Sequence, residues 1–191
     1  MQPFQKIKSI VTPLDKVNVD TDQIVPKQFL KLIQRTGFGQ YLFYDWRYEQ
    51  GGIPKTDFIL NDPEYKNSKI LLARDNFGCG SSREHAVWAL DDFGFKVIIS
   101  TSFADIFYNN CFKNGILPIR VSDEILQKLF STKSEIEVDL EDQTIMLDDN
   151  THVSFYIEPH WKKILLEGLD DIAMTLQHES QITKYERSHK I

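Results

Sequence analysis

The amino-acid sequence predicts an α/β fold, on three observations. The middle of the chain runs in the order strand, glycine-rich loop, helix, strand, helix, strand. Short β-type runs recur there, at 69–74, 96–100 and 116–121, separated by segments with helical spacing. A later stretch, 136–157, is rich in β-type alternation, so a purely doubly wound sheet is not expected.

The elements follow in chain order. A short apolar segment at 29–33 comes after the acidic stretch 18–26. Turn residues crowd 51–57 and 61–63, which read as a surface excursion inside one domain. Ile70, Leu71 and Leu72 mark the first strand. The helix at 84–93 places Ala86, Ala89, Leu90 and Phe93 on one stripe. Val97, Ile98 and Ile99 mark the next strand. Phe103, Phe107 and Cys111, spaced four apart, form the apolar face of a second helix. Pro118 lacks an N–H, which assigns 116–121 to an edge or bulge. Asp123 is expected to cap a helix at 124–130. Runs 136–140 and 144–147 flank Glu141-Asp142-Gln143 as a hairpin, and 153–157 alternates again. A helix at 161–167 is stopped by Gly168, and Asp170 opens a short one through Leu176. The whole chain, 1–191, reads as one domain with a polar tail from about 179 that is expected to fray.

Composition narrows the function. There are 22 basic and 28 acidic residues, a net charge of −6, so nucleic acid is not the expected partner. No apolar run approaches the ~20 residues that span a bilayer, and no secretory signal is visible, so the expected location is cytoplasmic. Two cysteines, Cys79 and Cys111, make neither a disulfide framework nor an iron–sulfur ligand set. The five histidines are scattered, with none at zinc-ligand spacing.

The richest stretch is Ala73-Arg74-Asp75-Asn76-Phe77-Gly78-Cys79-Gly80-Ser81-Ser82-Arg83-Glu84-His85, between a strand and a helix. Ser81 and Glu84 are spaced as a capping box. A helix N-terminus offers free N–H groups and partial positive charge, and Arg83 adds a planar cation suited to a carboxylate. The loop therefore reads as an anion site with two hydroxyls at its lip. It has no third glycine for a dinucleotide fingerprint, no Gly-Lys-Ser, and no Gly-x-Ser-x-Gly elbow. The plain alternative is a capped turn without a ligand. In Asn18-Val19-Asp20-Thr21-Asp22-Gln23-Ile24-Val25-Pro26, two acids could bind a metal or orient a cation; the plain alternative is a turn or helix cap. An EF-hand is excluded, because a third acid and the glycine are missing.

Segments 77–86 and 19–26 resemble the two signatures of the swivelling domain of aconitase-type hydro-lyases. Arg35-Thr-Gly-Phe-Gly39, Leu42-Phe-Tyr-Asp-Trp-Arg47, Ser102-Phe-Ala-Asp-Ile-Phe107 and Gly168-Leu-Asp-Asp-Ile172 extend the likeness almost end to end. The pattern is similar to that of the small-subunit family of bacterial isopropylmalate isomerases. The resemblance implies a β/β/α swivelling domain that docks on a separate large subunit as a heterodimer. It implies that the [4Fe–4S] cluster sits on that partner, with none bound by this chain, and acts as a Lewis acid on the departing hydroxyl. The implied substrate is a dicarboxylate hydroxy acid of leucine biosynthesis, dehydrated and rehydrated between its 2- and 3-hydroxy isomers.

By motif position, Ser81 matches the base for the carbon-bound proton, and Asp22 an acid that steadies a basic group. Arg83 matches the carboxylate-holding arginine, Ser82 a supporting hydroxyl and backbone donor, and Arg35, across a gap, a second substrate arginine. Lys31 and Leu32 fall where the family distinguishes substrate side chains: Leu32 would suit an isopropyl group, Lys31 a carboxylate. Two other readings stay open: the small subunit of a homoaconitase-type or methylmaleate hydratase-type enzyme, and a non-catalytic anion-binding assembly subunit. An apolar docking face is expected around Leu42, Phe43 and Trp46.

Overall fold

The computed structural model describes residues 1–31, 36–149 and 151–189. Two strands open the chain, β1 (Ile7–Ser9) and β2 (Val11–Leu14). Two one-turn helices follow, α1 (Thr21–Ile24) and α2 (Tyr44–Arg47). The core alternation is β3 (Ile70–Ala73), α3 (Glu84–Phe93), β4 (Val97–Ser100), α4 (Asp105–Lys113), β5 (Leu117–Arg120) and α5 (Asp123–Ser131). After it come β6 (Ile136–Asp139), β7 (Thr144–Met146), β8 (His152–Ser154), α6 (Pro159–Glu167), α7 (Asp171–Leu176) and α8 (Glu179–His189).

The strands form two sheets. One is parallel, in the order β2-β3-β4-β5; the other is antiparallel, in the order β1-β6-β7-β8. The parallel strands are buried on both faces, so they read as continuous apolar runs. Leu71, Ala73 and Ile98 point into one core with Ala86, Leu90, Phe107 and Cys111 from α3 and α4. Ile70, Leu72, Val97, Ile99 and Leu117 point into a second core with Ile136, Val138, Ile145 and Val153 of the antiparallel sheet. The layers are thus helices, parallel sheet, antiparallel sheet: the β/β/α arrangement the resemblance implies.

Much of the element list follows the sequence. Strands form at all three β-type runs, and the hairpin pairs Asp139 with Thr144. β5 is an edge strand as Pro118 requires. The Leu117 and Val121 N–H groups donate to the carbonyls of Lys96 and Ser100, so the alternate position, 118, turns its missing donor away from the sheet. Gly168 ends α6 at φ +66°, where a Cβ would sit 2.6 Å from the Pro3 nitrogen; the site has neither the torsion nor the room for a side chain.

Other expectations are corrected. β1 and β2 were not legible, because Lys8, Ser9, Thr12 and Pro13 hide the apolar positions. Ser122, not Asp123, caps α5, accepting from the Ile125 N–H at 3.3 Å. The turn-rich stretches 51–57 and 61–63 bury no residue, as expected, while Leu60 and Tyr65 beside them are buried on two short 3-10 turns, Ile59–Asn61 and Pro63–Tyr65. Leu42 and Phe43 are fully buried, so they cannot form a docking face. The polar tail is helical through His189, although α8 buries no residue. Among the described residues, no helix is long and apolar enough to cross a membrane.

Candidate active site

Two loops meet at the C-terminal edge of the parallel sheet. One follows β2 and leads into α1; the other follows β3 and leads into α3. The chain joins them as if extending the sheet: Asp20 pairs with Cys79, and Phe77 pairs with Phe103 on the far side. Gly78 N–H donates to the Val19 carbonyl at 2.8 Å, and Thr21 N–H to the Cys79 carbonyl at 2.9 Å. Asn76, at φ +56°, turns the second loop; its amide donates to the Asn18 side chain at 2.8 Å. Gly78 stands at φ +77° over Phe107, whose ring a Cβ would overlap.

Asp20 and Asp22 separate by role. Asp20 caps α1, accepting from the Gln23 N–H at 2.7 Å, while the Gln23 side chain accepts from the Asp20 N–H at 2.9 Å. Asp22 faces the other way. Its Oδ1 accepts from the Arg83 guanidinium, and its Oδ2 lies 3.4 Å from Lys27 Nζ. One carboxylate therefore holds two cations side by side. Sequence reasoning missed Lys27, which stands five residues beyond Asp22 and past the end of α1, at no spacing that signals a pair.

Ser81 and Ser82 are exposed beside this cluster. The expected capping box is not there. Arg83 is the N-cap of α3 and no side chain caps it. Glu84 instead accepts from the Asn114 side chain at 2.9 Å. The Ser81 hydroxyl is thus outside the helix cap and faces solvent. The first turn of α3 keeps free N–H groups, partially positive and close to Arg83. Ser81, Ser82, Arg83 and Asp22 come together here. Lys31 is exposed and follows the short 3-10 turn Lys27–Phe29. Leu32 and Arg35 lie outside the described residues.

The neighbouring groups are chemically quiet. The Cys79 thiol donates to the Asn18 carbonyl at 3.3 Å; burial, then the charge of Asp20, pushes its pKa up, so it stays protonated. Burial also holds the pKa of His85 below the ordinary histidine value; the ring packs on Phe38 and Trp88. Cys111 is fully buried in α4, and its thiol is pushed well up by burial. Among the described residues, no three His, Cys, Asp or Glu side chains are grouped to hold a metal ion. One hydrogen-bonded thiol and one buried thiol do not fit an iron–sulfur cluster.

The arrangement can bind a small dianion against fixed N–H donors, one or two cations and two hydroxyls. A family model described as the aconitase C-terminal domain matches residues 1–124. Another, for the C-terminal domain of the 3-isopropylmalate dehydratase small subunit, matches residues 171–191. The 3-isopropylmalate dehydratase small subunit of Brevibacillus brevis is 54% identical over 191 residues, covering 97% of this chain and 98% of the relative. That of Bacillus subtilis is 50% identical over 190 residues, covering 97% and 96%. A crystal structure of 3-isopropylmalate dehydratase from Methanocaldococcus jannaschii superposes with a TM-score of 0.70 at 26% identity, covering 95% of this chain and 99% of that one.

Proposed function

The chain belongs to the family of 3-isopropylmalate dehydratase small subunits, and from that premise we propose that Ser81 is the base and Arg83 the substrate anchor of its reaction. The family's activity is that of a hydro-lyase subunit in leucine biosynthesis, interconverting 2- and 3-isopropylmalate. The observation that carries the site reading is the Asp22–Arg83 ion pair. It joins positions 61 apart in the chain and sets a substrate-type cation beside two uncapped serine hydroxyls.

Each residue has a physical task. Arg83 presents a planar fork to one substrate carboxylate, which a lysine cannot match. Asp22 holds that fork from behind and keeps Lys27 alongside. Ser82 offers its hydroxyl and its N–H. Ser81 Oγ takes the carbon-bound proton in dehydration and gives one back in rehydration. A hydroxyl is a weak base, and one pKa unit corresponds to ~1.36 kcal/mol. A helix N-terminus supplies ~0.3–1 kcal/mol, at best ~2, or one to two units. The rest must come from Arg83 and fixed N–H donors in a site closed to water.

In the free chain Ser81 is exposed, so that closure must come from outside. We place it in docking on the large subunit, which would also hold the cluster that this chain's donor set does not fit. By motif position, Lys31, Leu32 and Arg35 are the further substrate-binding residues of this reading. The dicarboxylate, rather than nucleic acid or membrane, is the proposed ligand, and the cytoplasm the proposed location.

The test is anaerobic reconstitution with a cluster-loaded large subunit, following absorbance of the unsaturated intermediate. Activity is expected only in the mixture. Ser81→Ala should lower kcat by about 10²–10⁴-fold, the range of a lost general base, with assembly intact. Arg83→Lys should lower kcat/KM despite keeping the charge. Parental kinetics in both variants would overturn the site assignment.

A further inference from the structure

Ser81 is exposed, yet its main chain is held on two sides. Its carbonyl oxygen accepts from the Arg83 N–H at 2.7 Å and from Thr21 Oγ1 at 3.1 Å. Thr21 is the first residue of α1, 60 positions away, and only 2% exposed. Its own N–H donates to the Cys79 carbonyl at 2.9 Å. One buried residue thus grips the chain on both sides of Gly80, whose Cβ position already lies 3.5 Å from Thr21 Oγ1.

We propose that Thr21 is a positioning residue: its hydroxyl sets the direction of the Ser81 Oγ and of the Ser82 N–H. The peptide between Ser81 and Ser82 is trans and planar, so its C=O and N–H point opposite ways. Drawing the carbonyl towards Thr21 turns the Ser82 N–H away from α1, and among the described residues that N–H has no acceptor. It is left free for developing negative charge. Without the Thr21 hydroxyl, only the Arg83 N–H restrains the peptide and the plane can tilt. The inference rests on Ser81 and Ser82 acting as proposed above.

The test uses the reconstituted complex with Thr21→Val, Thr21→Ser and Ser81→Ala. A misplacement near 1 Å costs up to about 100-fold in rate. Thr21→Val is therefore expected to lower kcat by about 10- to 100-fold with KM within about twofold of the parent. Thr21→Ser, which keeps the hydroxyl, should restore most of kcat. Equal losses in both variants would assign Thr21 to packing and overturn the proposal. So would a parental kcat in Thr21→Val while Ser81→Ala is inactive. An active Ser81→Ala would instead remove the reading of Ser81 itself. If Thr21→Val does not assemble, Thr21→Cys decides, since it offers only a weak S–H donor: an intermediate kcat supports the proposal and a parental one overturns it.

Discussion

Gly78 and Asp22 carry the site at the scale of single residues. The first lets two loops close over the Phe107 ring, which no other residue could do at that torsion. The second converts a turn acid into the bracket for Arg83 and Lys27. His85 gives a test of pH. Burial against Phe38 and Trp88 lowers its pKa when folded, whereas the unfolded ring titrates near 6.5. The unfolded chain then binds more protons below that value, so stability present above pH 6.5 is lost as pH falls towards the depressed folded pKa. Urea unfolding of the parent and of His85→Phe at pH 7.5 and 5.5 should show the smaller pH dependence in the variant. The same slope in both proteins would mean that the acid sensitivity lies elsewhere.

At the scale of elements, capping shows what a local pattern can and cannot decide. Ser81 and Glu84 have capping-box spacing, but α3 starts uncapped at Arg83, which leaves Glu84 at N1 rather than N3, where its side chain accepts from Asn114 at the end of α4. An uncapped N-terminus is a weakness for folding and leaves N–H donors for a ligand. α5 is the opposite case. Ser122 holds the Ile125 N–H, and the helix buries Leu126 and Leu129 against the second core. Ser122→Ala should destabilise the protein by about 1 kcal/mol. Chemical denaturation reads this directly, and an unchanged midpoint would show that solvent satisfies the N–H equally well.

The parallel sheet is the layer shared by both cores of the whole molecule. Its alternate residues face α3 and α4 on one side and the antiparallel sheet on the other. The site lies at the sheet's C-terminal edge, where loops from β2 and β3 meet, and its serines are open to solvent. On the function proposed above, such an open edge is where a partner subunit would close the site. The C-terminal helix α8 stands outside both cores: none of its residues is buried. Deleting 179–191 is therefore expected to change folding stability by no more than about 0.5 kcal/mol, a shift of roughly 1–2 °C in thermal midpoint. A loss several times larger would show that α8 packs on the body in solution.

Local physics made part of this protein legible in its sequence. Period, caps and breakers are near-neighbour effects, so the helix at 84–93, the edge strand with Pro118, the hairpin at 139–144 and the stop at Gly168 could all be read from adjacent residues. The motif loop was legible as an anion site in the same way, whereas the role expected of Asp22 came only from the family resemblance. What they face was not. The two opening strands, the burial of Leu42 and Phe43, Lys27 beside Asp22, and the Thr21 hydroxyl on the Ser81 carbonyl are settled by tertiary packing. Such arrangements arise when a sheet buries both its faces, and the geometry at its edge is set by the packing of the whole, which no window of adjacent residues contains.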